Sequence, residues 1–342
     1  MKRRDLLKSL AAVPMIAATV EGATQTKPRI LIKPKRLKAG QTVALIAPSS
    51  GLSKDQLDRA AENMTALGLV PKLGKNAAAA NGFLAGTDTQ RVADIHWAFE
   101  DKTIDAVWCL RGGYGLTRIL PDIDYELIRK NPKLVIGYSD ITALLLAVHQ
   151  RAGLVTVHAP ASASTMSEYS LGHLKVTLFD AATTHKMTVA PDNAVSTNPL
   201  FKTEVIKSGT ARGQLIGGNL SLVAAMAGTP FALKNINGKI LFLEDVGEKP
   251  YRVDRMITQL KQSLDLRQLA GIALGIFNDC EGPEGSPTVM DVCRERFGSL
   301  GIPVVYGLSF GHIRDQMTLP LGIKAELDVT NSTLTLLESA VS

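Results

Sequence analysis

The sequence predicts an α/β protein: an N-terminal, flavodoxin-like parallel sheet with a serine at one strand-to-helix turn, plus a second, smaller α/β domain. Three observations carry this reading. Short apolar runs of strand length alternate with stretches of helical periodicity, the pattern of a parallel sheet covered on both faces. Most of these runs end in Gly, Pro, Ser or acidic residues, where open parallel sheets hold their functional loops. A polar stretch, Pro191 to Thr203, divides the 342 residues into two series of such units, in keeping with about 150 residues per domain.

The first series opens with Thr42 to Ala47 (TVALIA), stopped by Pro48-Ser49-Ser50-Gly51 and followed by a helical pattern from Lys54 to Leu67. The same unit recurs at Ala106 to Leu110, before the loop Arg111-Gly112-Gly113-Tyr114-Gly115. It recurs again at Lys133 to Ile136, before Gly137-Tyr138-Ser139-Asp140 and a helical run from Ile141 to Arg151. Leu154 to Val157 reads as a buried strand ending at His158-Ala159-Pro160. The second series runs through Gly213 to Asn219, a helix near Leu220 to Ala227, a strand Lys239 to Leu243 and a helix Val253 to Leu264. A strand Gly271 to Phe277, a helix Val289 to Phe297 and a strand Pro303 to Ser309 follow. Ala325 to Leu337 alternates like one or two strands. The folded domains are therefore expected at residues 40–183 and 204–338, with a linker at 184–203.

With 45% hydrophobic and 20% charged residues the chain is an ordinary globular one, which excludes collagen-like, disordered and disulfide-scaffold classes. The net charge of +6 is unevenly spread: residues 1–38 hold ten Lys/Arg and two Asp/Glu, and the remainder holds 28 and 30. The body is not basic, and without basic stripes or clustered aromatics no nucleic-acid partner is expected. Cys109, Cys280 and Cys293 are too few and too scattered for a disulfide framework and read as buried thiols. No paired Cys/His spacing points to a metal. The glycine-rich loop lacks the G-x-G-x-x-G spacing of a dinucleotide site, so no cofactor is expected.

At the N-terminus, Lys2 to Lys8 is charged and an apolar run from Leu10 to Val20 follows. That run is shorter than the ~18–20 residues that span a bilayer, and small residues around Ala17 to Ala23 offer cleavage sites, so residues 1–23 read as a cleaved signal and not as a membrane anchor. Arg3-Arg4 followed by Leu6-Leu7-Lys8 resembles a twin-arginine export signal, which implies a periplasmic protein. Residues 24–39 read as a basic, extended arm.

The chemistry centres on Ser139. A strand that passes through Gly137 into a helix sets the serine at a sharp turn, with its hydroxyl pushed out of the sheet edge and the next N–H aimed at whatever the hydroxyl attacks. The helix N-terminus adds partial positive charge where an oxyanion would form. An N-capping Ser-Asp pair accounts for the same residues, and the last Gly of G-x-S-x-G is missing. A serine nucleophile needs a base. Of the six histidines, His96, His149, His173 and His185 read as surface or packing residues. His158 and His312 each follow an apolar strand, and position does not choose between them. The base needs a carboxylate to hold its tautomer. Glu244-Asp245 appear abruptly at the end of the apolar run 239–243, with Glu248 one loop further on. The glycines of 111–115 permit close backbone approach and present several N–H groups to an anion.

Six blocks together carry a resemblance: FLAGTDTQRVAD (83–94), RGGYG (111–115), VIGYSDIT (135–142), GGNL (217–220), LFLEDVGEKPYRVDR (241–255), and Gly311-His312 with Pro320-Leu321-Gly322. In this order they resemble the LD-carboxypeptidase family, the muramoyltetrapeptide carboxypeptidases, over about residues 40–325. The resemblance implies a serine peptidase that removes the terminal D-alanine from murein tetrapeptides. It implies Ser139 as nucleophile, Glu244 as acid and His312 as base, and it suggests a homodimer. The oxyanion would be held by the N–H of Asp140 and one from Gly112 or Gly113, and Arg111 is the candidate for the substrate carboxylate. The same family includes immunity peptidases that hydrolyse microcin-type aminoacyl nucleotides; a non-catalytic periplasmic muropeptide-binding protein is the reading of a different class. One departure is His158-Ala159-Pro160, where the family usually has His-Gly-Pro.

Overall fold

The computed structural model describes residues 30–342, so the expected signal at 1–23 and the first part of the basic arm lie outside the described residues. The rest of the arm is laced to the body. Ile32 bridges Leu154, Ser342 N donates to Pro34 O at 2.9 Å, and Lys33 pairs with Glu338 at 2.8 Å.

Residues Leu31–Ser342 form one compact unit with two sheets. Five strands come from the first half of the chain: β1 (Thr42–Ile46), β2 (Val70–Leu73), β3 (Ala106–Cys109), β4 (Leu134–Gly137) and β5 (Val157–His158). The others are β6 (His185–Met187), β7 (Glu204–Lys207), β8 (Thr210–Asn219), β9 (Ile240–Val246), β10 (Gly271–Asn278), β11 (Val304–Tyr306), β12 (Leu319–Pro320), β13 (Lys324–Asp328) and β14 (Thr333–Leu336). The first sheet has the order β12-β5-β4-β3-β1-β2 and is parallel except for β12. The second has the order β6-β14-β13-β8-β9-β10-β11-β7, in which β8 to β11 are parallel and the flanking strands antiparallel.

Helices form where the sequence supplies both a cap and an apolar stripe. Lys54–Ala66 and Asp88–Glu100 each open with a capping box, Ser53 with Gln56 and Thr87 with Gln90. Thr142–Ala152, buried along nearly its whole length, ends at Gly153 in the left-handed conformation. The strands β3 and β4 are buried at every position, as strands covered on both faces must be.

Three expectations change. The expected linker at 184–203 holds β6, which pairs with β14, and a helical turn Pro191–Ala194. It is tied to the C-terminal half where Ala190 N and Asn193 Nδ2 donate to Ser309 Oγ at 2.8 and 2.9 Å. The strand expected to run to Ser309 stops at Tyr306, because Gly307 turns at φ +91° with Thr203 Cα so close that a Cβ would lie 2.8 Å from it. The late strand β12 crosses back to pair with β5 in the first sheet, so the chain past residue 204 is not confined to the second sheet. Among the described residues, no helix is long and apolar enough to cross a membrane.

Candidate active site

Ser139 stands at the carboxyl end of β4 with φ +66°, a left-handed conformation that a non-glycine residue adopts at a cost. Extended Tyr138 precedes it, a 3-10 turn Ser139–Ile141 begins at it, and the helix Thr142–Ala152 follows. Gly137 makes the turn feasible: a Cβ there would lie 2.9 Å from Ile141 Cγ2, the side chain that closes the corner. The result is a strained strand-to-helix elbow of the kind on which a nucleophile can be exposed.

The second sheet brings the other two groups. Glu244 lies on β9 next to β10, fully buried. His312 follows Gly311, which bridges Ile276 of β10. Gly311 turns at φ +122°, and a Cβ there would meet Ile276 O at 2.8 Å and Glu244 Oε2 at 3.1 Å, so only glycine lets this segment pass so near the carboxylate. His312 Nδ1 then meets Glu244 Oε2 at 2.7 Å, and Nε2 meets Ser139 Oγ at 2.9 Å. Ser139, His312 and Glu244 thus form one hydrogen-bonded chain.

The electrostatics suit proton transfer. Burial alone would raise the Glu244 carboxyl, but the charge of His312 and its hydrogen bond hold it below the ordinary value. Burial would lower His312, but Glu244 raises it above the ordinary histidine value. Asp245 is pushed up to about 6 by burial and by its neighbour Glu244. It accepts from Asn219 Nδ2 at 2.9 Å and from Ser221 N and Oγ at 2.9 and 2.7 Å. Asn219 N in turn donates to Thr142 Oγ1 at 3.0 Å, so the end of β8 is fastened to the helix that follows the serine.

His158, left open as a base by position alone, does not reach Ser139 in this hydrogen-bonded chain. It is fully buried, edge-on to Tyr138, Phe242 and Phe310, and burial pushes it down to about 4. The other histidines have structural partners. His96 Nε2 accepts from Asp124 N at 2.9 Å, His149 meets Leu154 O at 3.1 Å, and His173 meets His185 at 2.8 Å.

The glycine-rich loop lies over the elbow. A Cβ on Gly112 would fall 2.7 Å from Ser139 Cβ, 2.9 Å from Oγ and 3.1 Å from Asp140 N. The space kept open by this glycine is therefore within reach of both the hydroxyl and the Asp140 N–H, where a reacting carbonyl has to sit. Gly113 faces elsewhere, against Ser50, whose Oγ would lie 2.3 Å from an added Cβ. Arg111 donates to Gly51 O at 3.3 Å. A cavity of about 440 Å³ opens beside His312, bordered by Asn278, Ile313, Arg314 and Asp192. Among the described residues no group of three His, Cys, Asp or Glu side chains is placed to hold a metal.

Sequence reasoning missed Arg91 and the Asp140 side chain. Arg91 Nη1 donates to Pro48 O at 2.5 Å and Gly115 O at 3.0 Å. Asp140 Oδ2 accepts from Ser49 Oγ at 2.6 Å and Leu116 N at 3.0 Å. The signal for Arg91 was the block 83–94, where the arginine sits one residue from an apolar helix position, and that for Asp140 was its place beside Ser139 in the block 135–142.

Known proteins resemble this chain over most of its length. The profile of the LD-carboxypeptidase N-terminal domain matches residues 43–159 and that of the C-terminal domain matches residues 212–327. A probable murein peptide carboxypeptidase of Bacillus subtilis is 39% identical over 91% of this chain and 95% of its own length. A murein tetrapeptide carboxypeptidase of Pseudomonas aeruginosa is 38% identical over 84% of this chain and 92% of its own. The solved structure of a microcin C7 self-immunity protein in complex with aspartyl sulfamoyl adenosine superposes with a TM-score of 0.83 at 25% identity, covering 91% of this chain and all of that one. With the profiles of both domains matched in order and relatives 38 and 39% identical over most of the chain, the chain belongs to the LD-carboxypeptidase family.

Proposed function

We propose that this serine carboxypeptidase removes the terminal D-alanine from murein tetrapeptides, hydrolysing an L,D-peptide bond with Ser139, His312 and Glu244. The observation that carries the reading is the unbroken chain from Ser139 Oγ through His312 to buried Glu244, at 2.9 and 2.7 Å. In this mechanism His312 Nε2 takes the Ser139 proton as Oγ attacks the carbonyl before the terminal alanine. Glu244, ionised and buried, holds the imidazole by Nδ1 and stabilises the imidazolium. The tetrahedral oxyanion is met by the Asp140 N–H and by an N–H of the loop 112–113; the open space over Gly112 favours Gly112 as the nearer of the two. His312 returns its proton to the leaving amine, and water, activated by the same imidazole, hydrolyses the acyl-enzyme. Arg111, which opens this loop and donates to Gly51 O, serves to receive the substrate's free carboxylate. The protein works in the periplasm as a homodimer, after export through the signal at 1–23.

The test is to incubate the mature protein with a murein tetrapeptide and follow loss of one alanine by mass spectrometry. Loss by the wild type and none by Ser139→Ala supports the reading. No loss from the wild type, or equal loss from both, sinks it. An aminoacyl sulfamoyl adenosine in a parallel reaction separates the second reading, a microcin-immunity-type peptidase, which the structural likeness to the immunity protein favours.

A further inference from the structure

Two buried charged side chains outside the triad grip one peptide group from both ends. The peptide linking Gly115 and Leu116 has its carbonyl held by Arg91 Nη1 at 3.0 Å and its N–H held by Asp140 Oδ2 at 3.0 Å. The same two side chains grip the loop after β1. Arg91 Nη1 binds Pro48 O at 2.5 Å, and Asp140 Oδ2 receives Ser49 Oγ at 2.6 Å. Arg91 is 1% and Asp140 2% exposed, so these bonds are not shared with bulk water. Asp88 anchors the guanidinium from its other side at 2.5 Å and is itself held by Arg118 at 2.8 Å.

We infer that Arg91 and the Asp140 carboxylate are positioning residues that set the oxyanion-binding geometry, by clamping the loops 48–49 and 115–116 to the nucleophile turn. The inference rests on Ser139 being the nucleophile, and its logic is geometric. Asp140 is the residue whose backbone N borders, with Ser139 Oγ, the space over Gly112, and its side chain is fastened to the far end of the glycine-rich loop. Gly112 sits three residues before the clamped peptide and against Ser139. The distance between the Asp140 N–H and the Gly112 backbone is thus set by one carboxylate on one side and by the arginine's hold on Gly115 on the other. Glycine at 115 belongs to the device: it turns at φ +121°, and a Cβ there would press on Leu84 Cδ2 at 2.4 Å and Arg91 Nη1 at 3.0 Å. Preorganised donors lose their effect when they are displaced by about an ångström, so a remote arginine acts on the rate through this loop.

The experiment reads Ser139 reactivity without relying on the murein substrate. A fluorophosphonate is attacked by Ser139 Oγ at phosphorus and loses fluoride, the serine proton passing to His312, and its P–O oxygen occupies the oxyanion site. In Arg91→Met the phosphonylation rate is expected to fall on the order of 10²-fold, the size of losing one oxyanion donor. On tetrapeptide, kcat falls by a similar factor while KM moves less than about threefold, the pattern of an interaction made in the transition state. Arg91→Lys, which can still donate to a carbonyl, recovers part of both rates. A folded Arg91→Met protein that is phosphonylated at the wild-type rate overturns the inference. So does one whose KM rises while kcat holds. If Arg91→Met does not fold, Ser49→Ala decides by removing one bond from the clamp: a rate about tenfold lower upholds it and an unchanged rate overturns it. A wild type that reacts with the probe but spares the tetrapeptide defeats the proposed substrate and leaves this measurement valid.

Discussion

Gly112→Ala tests the site with a single methyl group. The new Cβ would lie 2.7 Å from Ser139 Cβ and 2.9 Å from its Oγ, both below the closest approach that real Cβ atoms make, and 3.1 Å from Asp140 N. Ser139 has little room to yield, since it is held at φ +66° between β4 and a buried helix. The loop is the part that gives way, although Tyr114 N is tied to Ser50 Oγ at 3.1 Å and Gly115 to Arg91. If it retreats, the loop N–H leaves the oxyanion, which costs on the order of 10²–10³ in kcat, or about 2.7–4 kcal/mol. If it stays, the methyl group fills the space where the carbonyl must enter, and the loss is larger. Folding should suffer less. The φ of Gly112 lies outside the left-handed region, so alanine adds no backbone strain, and only overpacking of about 1–3 kcal/mol remains. Alanine release from a tetrapeptide gives the rate, and urea unfolding gives the stability. A variant that keeps kcat within threefold of the wild type would refute the placement of the reacting carbonyl over Gly112.

Other consequences follow from the same geometry. Because Glu244 raises His312 above the ordinary histidine value near 6.5, the base is lost as pH falls through that raised value. The acid limb of kcat/KM therefore lies above pH ~6.5. Glu244→Gln removes the cause, so its limb moves to lower pH while kcat drops on the order of 10⁴, the loss seen when a triad carboxylate becomes an amide; an unmoved limb in a pH series would mean that another group titrates. His158, pushed down to about 4 in the fold, binds its proton later than in the unfolded chain. The unfolded state then holds more protons between pH ~6.5 and about 4, so stability is present above this window and falls as the pH drops through it, by about 3 kcal/mol. His158→Phe should flatten the difference between urea midpoints at pH 7 and pH 4.5, and an unchanged difference would assign the acid lability to His149 and His173, which burial also pushes down to about 4. For export, a fusion in which Arg3 and Arg4 both become Lys should stay inside the cell; periplasmic signal from it would exclude the twin-arginine route.

The parts of the site that were legible in the sequence are those where a residue contradicts its surroundings. Glu244 breaks an apolar strand and Ser139 stands two residues after a glycine between strand and helix, so both stand out by local pattern. His312 did not stand out from His158, because each follows an apolar strand. The difference is tertiary: Gly311 bridges Ile276, which swings the imidazole between Glu244 and Ser139, whereas His158 ends β5 facing a cage of aromatic rings. Only the family's block order chose between them beforehand. The strand β6 hid in a polar stretch for a related reason. An edge strand buries little, and of its three residues only Met187 is buried.

Arg91 was hidden by the very rule that finds helices. Periodicity assigns a charged residue to the solvent face, and Asp88–Glu100 has enough polar residues to make that assignment look consistent. Yet Arg91 points inward, where, besides its pair with Asp88 one turn earlier, its partners are backbone carbonyls at Pro48 and Gly115, 43 and 24 residues away. Backbone carbonyls have no residue type, so nothing in the composition of those loops announces that they need a buried donor. A hydrogen bond from a charged side chain to another side chain leaves two readable residues in the sequence, and one to the backbone leaves a single residue. Asp140 follows the same logic with Leu116 N. The groups that make chemistry are side chains and show in the pattern of types. The groups that hold them in place act largely on backbone, and they become visible only when the loops are seen closed around them.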